Sequence, residues 1–204
     1  LHVAPASPRA FKVLAVASYL RLDYEVCLVD FAKGTHKTPE FTALNPNQRM
    51  PVLEEDGFVL WESNAICRYL VSSKGRSDLL PVEPAGRARV EQWMDWQATE
   101  LNTSWRYAFM ALVRKSPVHT DPQAIEISVR EWNRCMTLLD QQLARGGPFV
   151  LGAEFTLADV VLGLSTHRWR SAPMERPTLV SVDAFYAGLT RRPGFQVHGC
   201  NGAP

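Results

Sequence analysis

The sequence has little excess charge and no long apolar run. Its 204 residues include 22 lysines and arginines and 21 aspartates and glutamates, so the formal net charge is +1. A nucleic-acid-binding surface needs surplus basic residues to displace counterions from phosphates, and none is available here. No stretch approaches the roughly eighteen apolar residues of a membrane span, and the first residues lack the apolar core of a secretory signal. We therefore expect a cytoplasmic protein with no nucleic-acid or membrane partner.

Cysteine is also scarce. The four cysteines are so far apart in the sequence that no C-x-x-C pair exists, which argues against dithiol exchange and against a zinc site of that type. Cys27 and Cys67 stand within apolar runs, where a cysteine is usually a small buried hydrophobe. We expect both thiols to be buried and no metal to be bound.

The first part of the sequence alternates strand and helix signals. After Ser7 and Pro8, apolar residues recur at helical spacing, and serine followed by proline is typical of an N-cap and the first helical position. Residues 26–29 form a short apolar run that predicts a buried strand. Residues 52–54 and 58–61 flank a turn containing glycine, which predicts an antiparallel hairpin. The predicted order is an extended start, a helix, a strand, the hairpin and a helix from Ser63.

Strand signals are absent from the second part of the sequence. Residues 75–86, with Pro81 and Pro84, interrupt the pattern and predict a linker. Apolar residues then recur at alternating spacings of three and four over 90–112 and over 125–143. This spacing is the apolar stripe of bundle helices, so it predicts two long helices.

Two shorter helices are predicted after these. Thr156 and Asp159 have the spacing of a capping box, in which each residue satisfies a free N–H at the start of a helix, so a third helix should begin there. Residues 181–190 predict a last helix that ends before Pro193. We therefore predict three parts, namely an α/β domain over 1–74, a linker over 75–86 and an all-helical domain over 87–204.

Four segments carry a resemblance to a known family. They are ASPRAFKV (6–13), KGTHKTPEF (33–41), NPNQRMPVL (45–53) and WESNAICRYL (61–70). They resemble the consecutive glutathione-site segments of cytosolic glutathione S-transferases, most of all the phi class and its bacterial relatives. FTLADVVLG (155–163) resembles the folding motif of the same family. The resemblance covers nearly the whole chain and implies a thioredoxin-like domain (β-α-β-α-β-β-α) followed by an all-helical bundle domain.

The resemblance implies that Ser7 activates glutathione. A thiol with a pKa of about 8.5 is only a few per cent ionised at neutral pH, and lowering that pKa by about two units requires roughly 2.7 kcal/mol of preference for the anion. A hydroxyl donor contributes about 1.5 to 3 kcal/mol and a helix N-terminus up to about 2 kcal/mol. Ser7 at the start of a helix can supply both. From the local sequence alone, Ser7 could equally be an N-cap with no other role.

The resemblance also implies a set of residues that bind the glutathione peptide. Met50 would offer its backbone groups to the cysteinyl part, across a cis peptide bond to the following proline. Glu62 and Ser63 would hold the γ-glutamyl end, where the alternative is an ordinary helix start after a strand. A cation near the glycine carboxylate would come from the loop before the second helix, where the alternative is a solvated side chain. The predicted glutathione-binding residues are His36, Lys37, Arg49, Met50, Pro51, Glu62 and Ser63.

Three positions depart from the family pattern. Gln48 replaces the usual glycine of an N-P-x-G motif, so the backbone there either tolerates a side chain or bends differently. Arg49 stands where glutamine is common. Arg9 stands where asparagine often follows Ser-Pro, and it could stabilise the thiolate, contact a second anion or simply be exposed.

The helical part should supply the pocket for the second substrate. Its aromatic residues lie where the family has that pocket, although aromatic residues at helical spacing also fill cores. The resemblance further implies a homodimer, in which Asp95 would reach the partner's γ-glutamyl ammonium. The predicted residues of the second-substrate pocket are Arg9, Trp105, Phe109 and Trp169.

We interpret the sequence as that of a glutathione transferase. It would join the thiolate of glutathione, its co-substrate, to small and mostly apolar electrophiles, with no metal. One alternative is a non-catalytic module of the same fold that serves for protein contacts or ligand storage. Another is a different glutathione reaction on the same scaffold, such as peroxide reduction, dehalogenation or isomerisation.

Overall fold

The computed structural model describes residues 1–4 and 7–200. Ala6 of the first motif and residues 201–204 at the end of the predicted helical domain lie outside these ranges. The first part of the chain follows the predicted β-α-β-α-β-β-α order and forms a thioredoxin-like unit. Its elements are β1 (His2–Val3), α1 (Pro8–Tyr19), β2 (Cys27–Leu28), α2 (Pro39–Leu44), β3 (Val52–Glu55), β4 (Phe58–Trp61) and α3 (Ser63–Ser73).

The sheet has the strand order β2-β1-β3-β4. β1 pairs with β2 in parallel and with β3 antiparallel, and the predicted hairpin joins β3 to β4 with Glu55 opposite Phe58. Asp56 and Gly57 form its turn with φ values of 48° and 83°. Both values are positive, as the tight hairpin turn favoured by Asp-Gly requires.

The prediction of a buried strand over 26–29 was wrong. Cys27 and Leu28 form β2, and both are exposed, whereas Val29 just beyond the strand is buried. β2 lies at the edge of the sheet and pairs with β1 alone, so its side chains are not covered from both sides. Cys27 is therefore an exposed thiol rather than a buried hydrophobe, while Cys67 is fully buried as predicted.

The second part of the chain is helical, as predicted. The stripe over 90–112 corresponds to two α-helices joined by a π-helical segment, Gln97–Leu101, rather than to one uninterrupted α-helix. The last predicted helix is followed by a further short one, which starts at Pro193 where the sequence was expected to end helical structure. The helices are α4 (Pro84–Trp96), α5 (Asn102–Leu112), α6 (Pro122–Gly146), α7 (Leu157–Ser171), α8 (Val180–Leu189) and α9 (Pro193–His198).

Helix α7 lies at the centre of the helical part, and its residues 157–169 are all buried. Its predicted capping box is present, because Asp159 accepts hydrogen bonds from both the backbone N–H and the hydroxyl of Thr156. The predicted linker is also packed against it, since Leu79 is 1% exposed and its carbonyl accepts from Leu157 N–H at 2.9 Å. Within the described ranges, no helix has both the length and the apolar character to cross a membrane.

Candidate active site

A cavity of about 1100 Å³ lies between the α/β part and the helices. Its walls come from the start of α1, the loop before β3, the junction of β4 with α3, the π segment, α5 and α7. Eight of the residues predicted from the sequence line it, namely Ser7, Arg9, His36, Arg49, Met50, Glu62, Trp105 and Phe109. Positions that are distant in the sequence therefore meet in one site.

Ser7 is the N-cap of α1 and lines the cavity. Its Oγ accepts a hydrogen bond from Ala10 N–H at 3.3 Å, which satisfies one of the free donors at the helix start. Among the residues that the structure describes, no acceptor takes the proton of the Ser7 hydroxyl. The capping role uses the hydroxyl only as an acceptor, so the O–H remains available as a donor to a ligand.

The loop before β3 presents Met50 at the cavity. The Met50–Pro51 peptide bond is cis, as the resemblance implies. Asn45 shapes the loop, because its Nδ2 donates to the Arg49 carbonyl at 2.7 Å. Gln48 has φ 54°, so the backbone keeps the left-handed conformation that glycine adopts freely and carries a side chain there at a conformational cost.

Glu62 and Ser63 lie at the start of α3. Glu62 is the N-cap with φ 72°, a left-handed conformation that is uncommon for a residue other than glycine, and it lines the cavity. Ser63 is 4% exposed and is not among the lining residues. Its Oγ instead accepts a hydrogen bond from Lys12 Nζ at 3.3 Å, directly behind the cavity wall.

Lys12 is a residue of the cavity wall that the sequence analysis missed. It lies on α1, lines the cavity and is only 6% exposed. Its Nζ donates to Asn64 Oδ1 at 2.6 Å and lies 3.5 Å from Gln97 Oε1. Burial lowers the pKa of Lys12 to about 8, with nearby Cys67 opposing that shift. The only sequence signal was its place inside the motif ASPRAFKV.

A chain of hydrogen bonds continues from Lys12 to the other side of the cavity. Gln97 Nε2 donates to Asn102 Oδ1 at 3.0 Å and to Ser165 Oγ at 2.9 Å, and Asn102 Oδ1 also accepts from Trp105 Nε1. Residues five apart lie about 140° apart around a regular α-helix. The π segment brings such residues together, and this places Gln97 against Asn102.

His36 and Lys37 have different surroundings although they are adjacent. They form a single 3₁₀ turn with Thr35. His36 lines the cavity, and its ring lies 4.7 Å from that of Phe31. Its buried Nδ1 has no hydrogen-bond partner among the residues that the structure describes. Lys37 is exposed and is not among the lining residues.

The helical wall of the cavity is aromatic, but one of the three aromatic residues predicted for it lies elsewhere. Trp105 and Phe109 pack edge to face at 5.2 Å and line the cavity. Trp169 does not line it. It is 3% exposed, and its Nε1 donates to Asn133 Oδ1 of α6 at 2.8 Å. Successive residues of a helix point about 100° apart, so Trp169 packs into the core while its neighbour Arg168 reaches the cavity.

Arg168 was also missed by the sequence analysis, which named only its neighbour Trp169 on this helix. It is 7% exposed, and its guanidinium carbon lies 4.3 Å from the Trp105 ring centre and 5.4 Å from that of Phe109. Within the described ranges, its Nε has no hydrogen-bond partner and no acidic side chain forms an ion pair with it. Burial and the positive charges of Arg114 and Arg9 lower the pKa of Arg168 to about 9, so it remains protonated at neutral pH.

Asp95 lies outside the cavity. Its side chain is 65% exposed and accepts a hydrogen bond from Arg68 Nη2 at 2.6 Å. Its predicted contact with a partner subunit stays a prediction.

Comparison with family models assigns both parts of the chain. Residues 1–72 match the model described as "Glutathione S-transferase, N-terminal domain", and residues 122–195 match "Glutathione S-transferase, C-terminal domain". The chain belongs to the glutathione S-transferase family. Membership confirms the predicted family, the two-part fold and the class of transferase enzyme that uses glutathione as co-substrate.

Individual relatives agree with this assignment over most of the chain. Glutathione S-transferase GstB of Escherichia coli K12 is 35% identical over 89% of this chain and 88% of its own length. Glutathione S-transferase 3 of Zea mays is 32% identical over 96% of this chain and 90% of its own length. The structure of a theta-class glutathione S-transferase of Xanthomonas axonopodis pv. citri, with glutathione bound, superposes with a TM-score of 0.90. It is 33% identical, and the superposition covers 97% of this chain and 95% of that one. The resemblance to the phi class remains a prediction.

Proposed function

We propose that this glutathione S-transferase joins the thiolate of glutathione to a small electrophile with a largely apolar body, and that Ser7 stabilises the thiolate. The observation that carries the proposal is the hydroxyl of Ser7, which lines the cavity and caps α1 through its oxygen, while no described residue accepts its proton. In the reaction, the thiol proton passes to solvent and a carbon–sulfur bond forms. In a substitution, the leaving group departs with the electron pair of its bond to carbon.

The cavity has groups that fit the rest of glutathione. Glutathione carries two carboxylates and an ammonium, and the cavity offers cationic side chains for the former and Glu62 for the latter. The buried, unpartnered Nδ1 of His36 is a free polar atom near the wall where we place the glycine end. We assign the cysteinyl part to the backbone of Met50. Ser63, hydrogen-bonded to Lys12, supports the γ-glutamyl end from behind the wall.

Titration of the bound thiol tests the role of Ser7. Loss of one charge-assisted hydrogen bond, about 1.5 to 3 kcal/mol, should raise the thiol pKa in the Ser7→Ala complex by about one to two units. The ultraviolet absorbance of the thiolate reports this pKa. At neutral pH the conjugation rate should fall about tenfold or more and recover partly in alkali, where thiolate forms without help. Glutathione affinity should change much less, because the peptide contacts remain.

The control separates activation from helix capping. Ser7→Ala also removes the N-cap, at a cost of about 1 kcal/mol in stability, whereas Ser7→Gly removes the hydroxyl with a smaller capping penalty. Both variants should show the same thiol pKa. If both fold, bind glutathione and keep the wild-type pH–rate profile, Ser7 is only an N-cap.

We further propose that the protein is a homodimer that acts in the cytoplasm. A thiol co-substrate and free cysteines persist in a reducing compartment. The exposed carboxylate of Asp95 is available to a partner subunit. Light scattering at micromolar concentration should give twice the mass of one chain, and Asp95→Asn should weaken glutathione binding. A monomer with full affinity would contradict the assembly.

A further inference from the structure

The cavity has more positive charge than glutathione can balance. Five cationic side chains in the described ranges line it, and Glu62 is its single acidic lining residue there. Glutathione with an ionised thiol has a net charge of about minus two, so it neutralises about half of this surplus. The cationic lining residues are Arg9, Lys12, Arg49, Arg106 and Arg168.

Lys12 and Arg168 are the buried members of this set, and Arg168 is the one of the two for which the described residues provide no polar partner. Lys12 is held by oxygen atoms of Asn64, Ser63 and Gln97. Arg168 has ring faces around it instead, and its Nε is buried without an acceptor. An arginine whose face stacks on an indole keeps its N–H edge free for a planar anion.

An unpaired buried guanidinium is costly, and packing alone does not account for it. A buried charge without a partner destabilises a protein. An apolar side chain would fill the space beside Trp105 without that cost. The charged groups that act most strongly on Arg168 are Arg114 and Arg9, and both are cationic. The free chain therefore carries a repulsion that an anion would relieve.

We propose, given the proposed conjugation reaction, that the second substrate is a planar aromatic electrophile bearing a carboxylate, and that Arg168 binds this carboxylate. The ring would pack on Trp105 and Phe109, which already face the cavity. The carboxylate would meet the N–H edge of Arg168, with Arg9 adding positive charge from the α1 side. Glutathione substitution on such a ring forms a carbon–sulfur bond and breaks a carbon–halogen bond, and the halide leaves with the electron pair.

Binding of a matched pair of probes tests the site without catalysis. Nitrobenzoate and nitrobenzamide share one ring and differ by the charge, and tryptophan fluorescence quenching measures their affinities with S-methylglutathione present. The wild type should bind the benzoate at least tenfold more tightly. Arg168→Met should remove most of this preference, a change of about 1.4 to 2.7 kcal/mol for a factor of ten to a hundred. Arg168→Lys should retain part of it.

Arg170→Met is the matched control. Arg170 lies two residues further on α7, carries the same charge and pairs with Asp183 on the outside of the molecule. Its loss should leave the preference for benzoate unchanged. Equal affinity for both probes in the wild type, or an undiminished preference in folded Arg168→Met, would overturn the proposal. If Arg168→Met does not fold, the wild-type comparison and Arg168→Lys decide.

Turnover separates this inference from the proposed function. Chloronitrobenzoate should have a kcat/KM at least tenfold above that of the corresponding chloronitrobenzamide, and Arg168→Met should abolish the difference. Conjugation of the amide without preference for the benzoate would leave the transferase assignment intact and refute the anion site. Preferential binding of nitrobenzoate, without conjugation of either chloro compound, would leave the anion site intact and refute the proposed conjugation.

Discussion

The cationic residues of the cavity differ mainly in what surrounds them. Lys12 and Arg168 are both less than a tenth exposed, but amide and hydroxyl oxygens contact the first and aromatic rings the second. Arg9, Arg49 and Arg106 are exposed, so solvent screens their charges. Residue type alone would treat the five as equivalent. Burial makes Lys12 a structural cation and Arg168 a ligand-binding candidate, and it leaves the other three solvated.

The pH dependence of stability should report the burial of Lys12. Because burial lowers its pKa from 10.5 to about 8, the folded chain loses this proton above pH 8 while the unfolded chain keeps it up to about pH 10.5. The unfolded state then binds more protons, so stability rises with pH across this window. Relative to Lys12→Met, the free energy of unfolding of the wild type should increase by about 3 kcal/mol between pH 8 and 10.5.

Chemical denaturation at a series of pH values measures this difference. Lys74→Met is the control, since Lys74 is exposed just after α3 and its removal should give a curve parallel to that of the wild type. Other groups titrate in the same range, but they cancel in the comparison of variants. A difference between wild type and Lys12→Met that stays flat with pH would show that Lys12 is hydrated in the folded protein.

At the scale of the elements, one buried side chain, Asp159, caps the start of α7. Asp159 accepts from Val150 N–H at 2.8 Å, Thr156 N–H at 2.7 Å and Thr156 Oγ1 at 2.9 Å. Asp159 therefore both caps α7 and holds the loop that precedes it. Burial raises the pKa of Asp159 to about 6, so the carboxylate is still ionised at neutral pH. Its hydrogen bonds oppose the effect of burial.

Asp159→Ala should destabilise the protein by about 2 to 6 kcal/mol. Each buried donor left without an acceptor costs about 1 to 3 kcal/mol, and two backbone N–H groups lose theirs. Asp183→Ala is the comparison, because Asp183 is a half-exposed carboxylate in the first turn of α8 and should cost less than about 1 kcal/mol. Urea unfolding midpoints measure both. Similar losses in the two variants would mean that the buried network contributes little.

At the scale of the whole molecule, the last helix, α9, packs against α1, the helix that Ser7 caps. A side chain added at Gly194 of α9 would approach the Ala15 carbonyl of α1 to 3.1 Å, so the two backbones are nearly in contact. On the opposite side, Gly163 of α7 faces Leu189 and Phe195 of α8 and α9. These glycines let α1, α7 and α9 pack closely beside the cavity.

Gly163→Ala should therefore loosen this packing. Its Cβ would overlap Leu189 Cδ1 and lie 2.9 Å from Phe195 Cε2, and overpacking of this kind costs about 1 to 3 kcal/mol. Gly188→Ala in α8 meets no atom within 4 Å and should be neutral or stabilising by up to about 1 kcal/mol. The thermal unfolding midpoints of the two variants measure this difference. A stable Gly163→Ala would show that α8 and α9 shift without cost.

Local signals accounted for much of the fold. The N-cap at Ser7, the Asp-Gly turn at 56–57 and the capping box at Thr156 each depend on residues within a few positions of one another, so the sequence alone determined them. The motif segments likewise predicted Ser7, Met50 and Glu62 as one site. The roles of these residues in binding remain proposals.

Burial was decided by the tertiary structure. Residues 26–29 are as apolar as a central strand, but the edge position of β2 exposes Cys27 and Leu28. Lys12 and Arg168 have the composition of surface residues, yet helices distant in sequence enclose them. Their burial depends on which elements cover each side chain, and that is set by contacts between segments more than fifty residues apart rather than by neighbours along the chain.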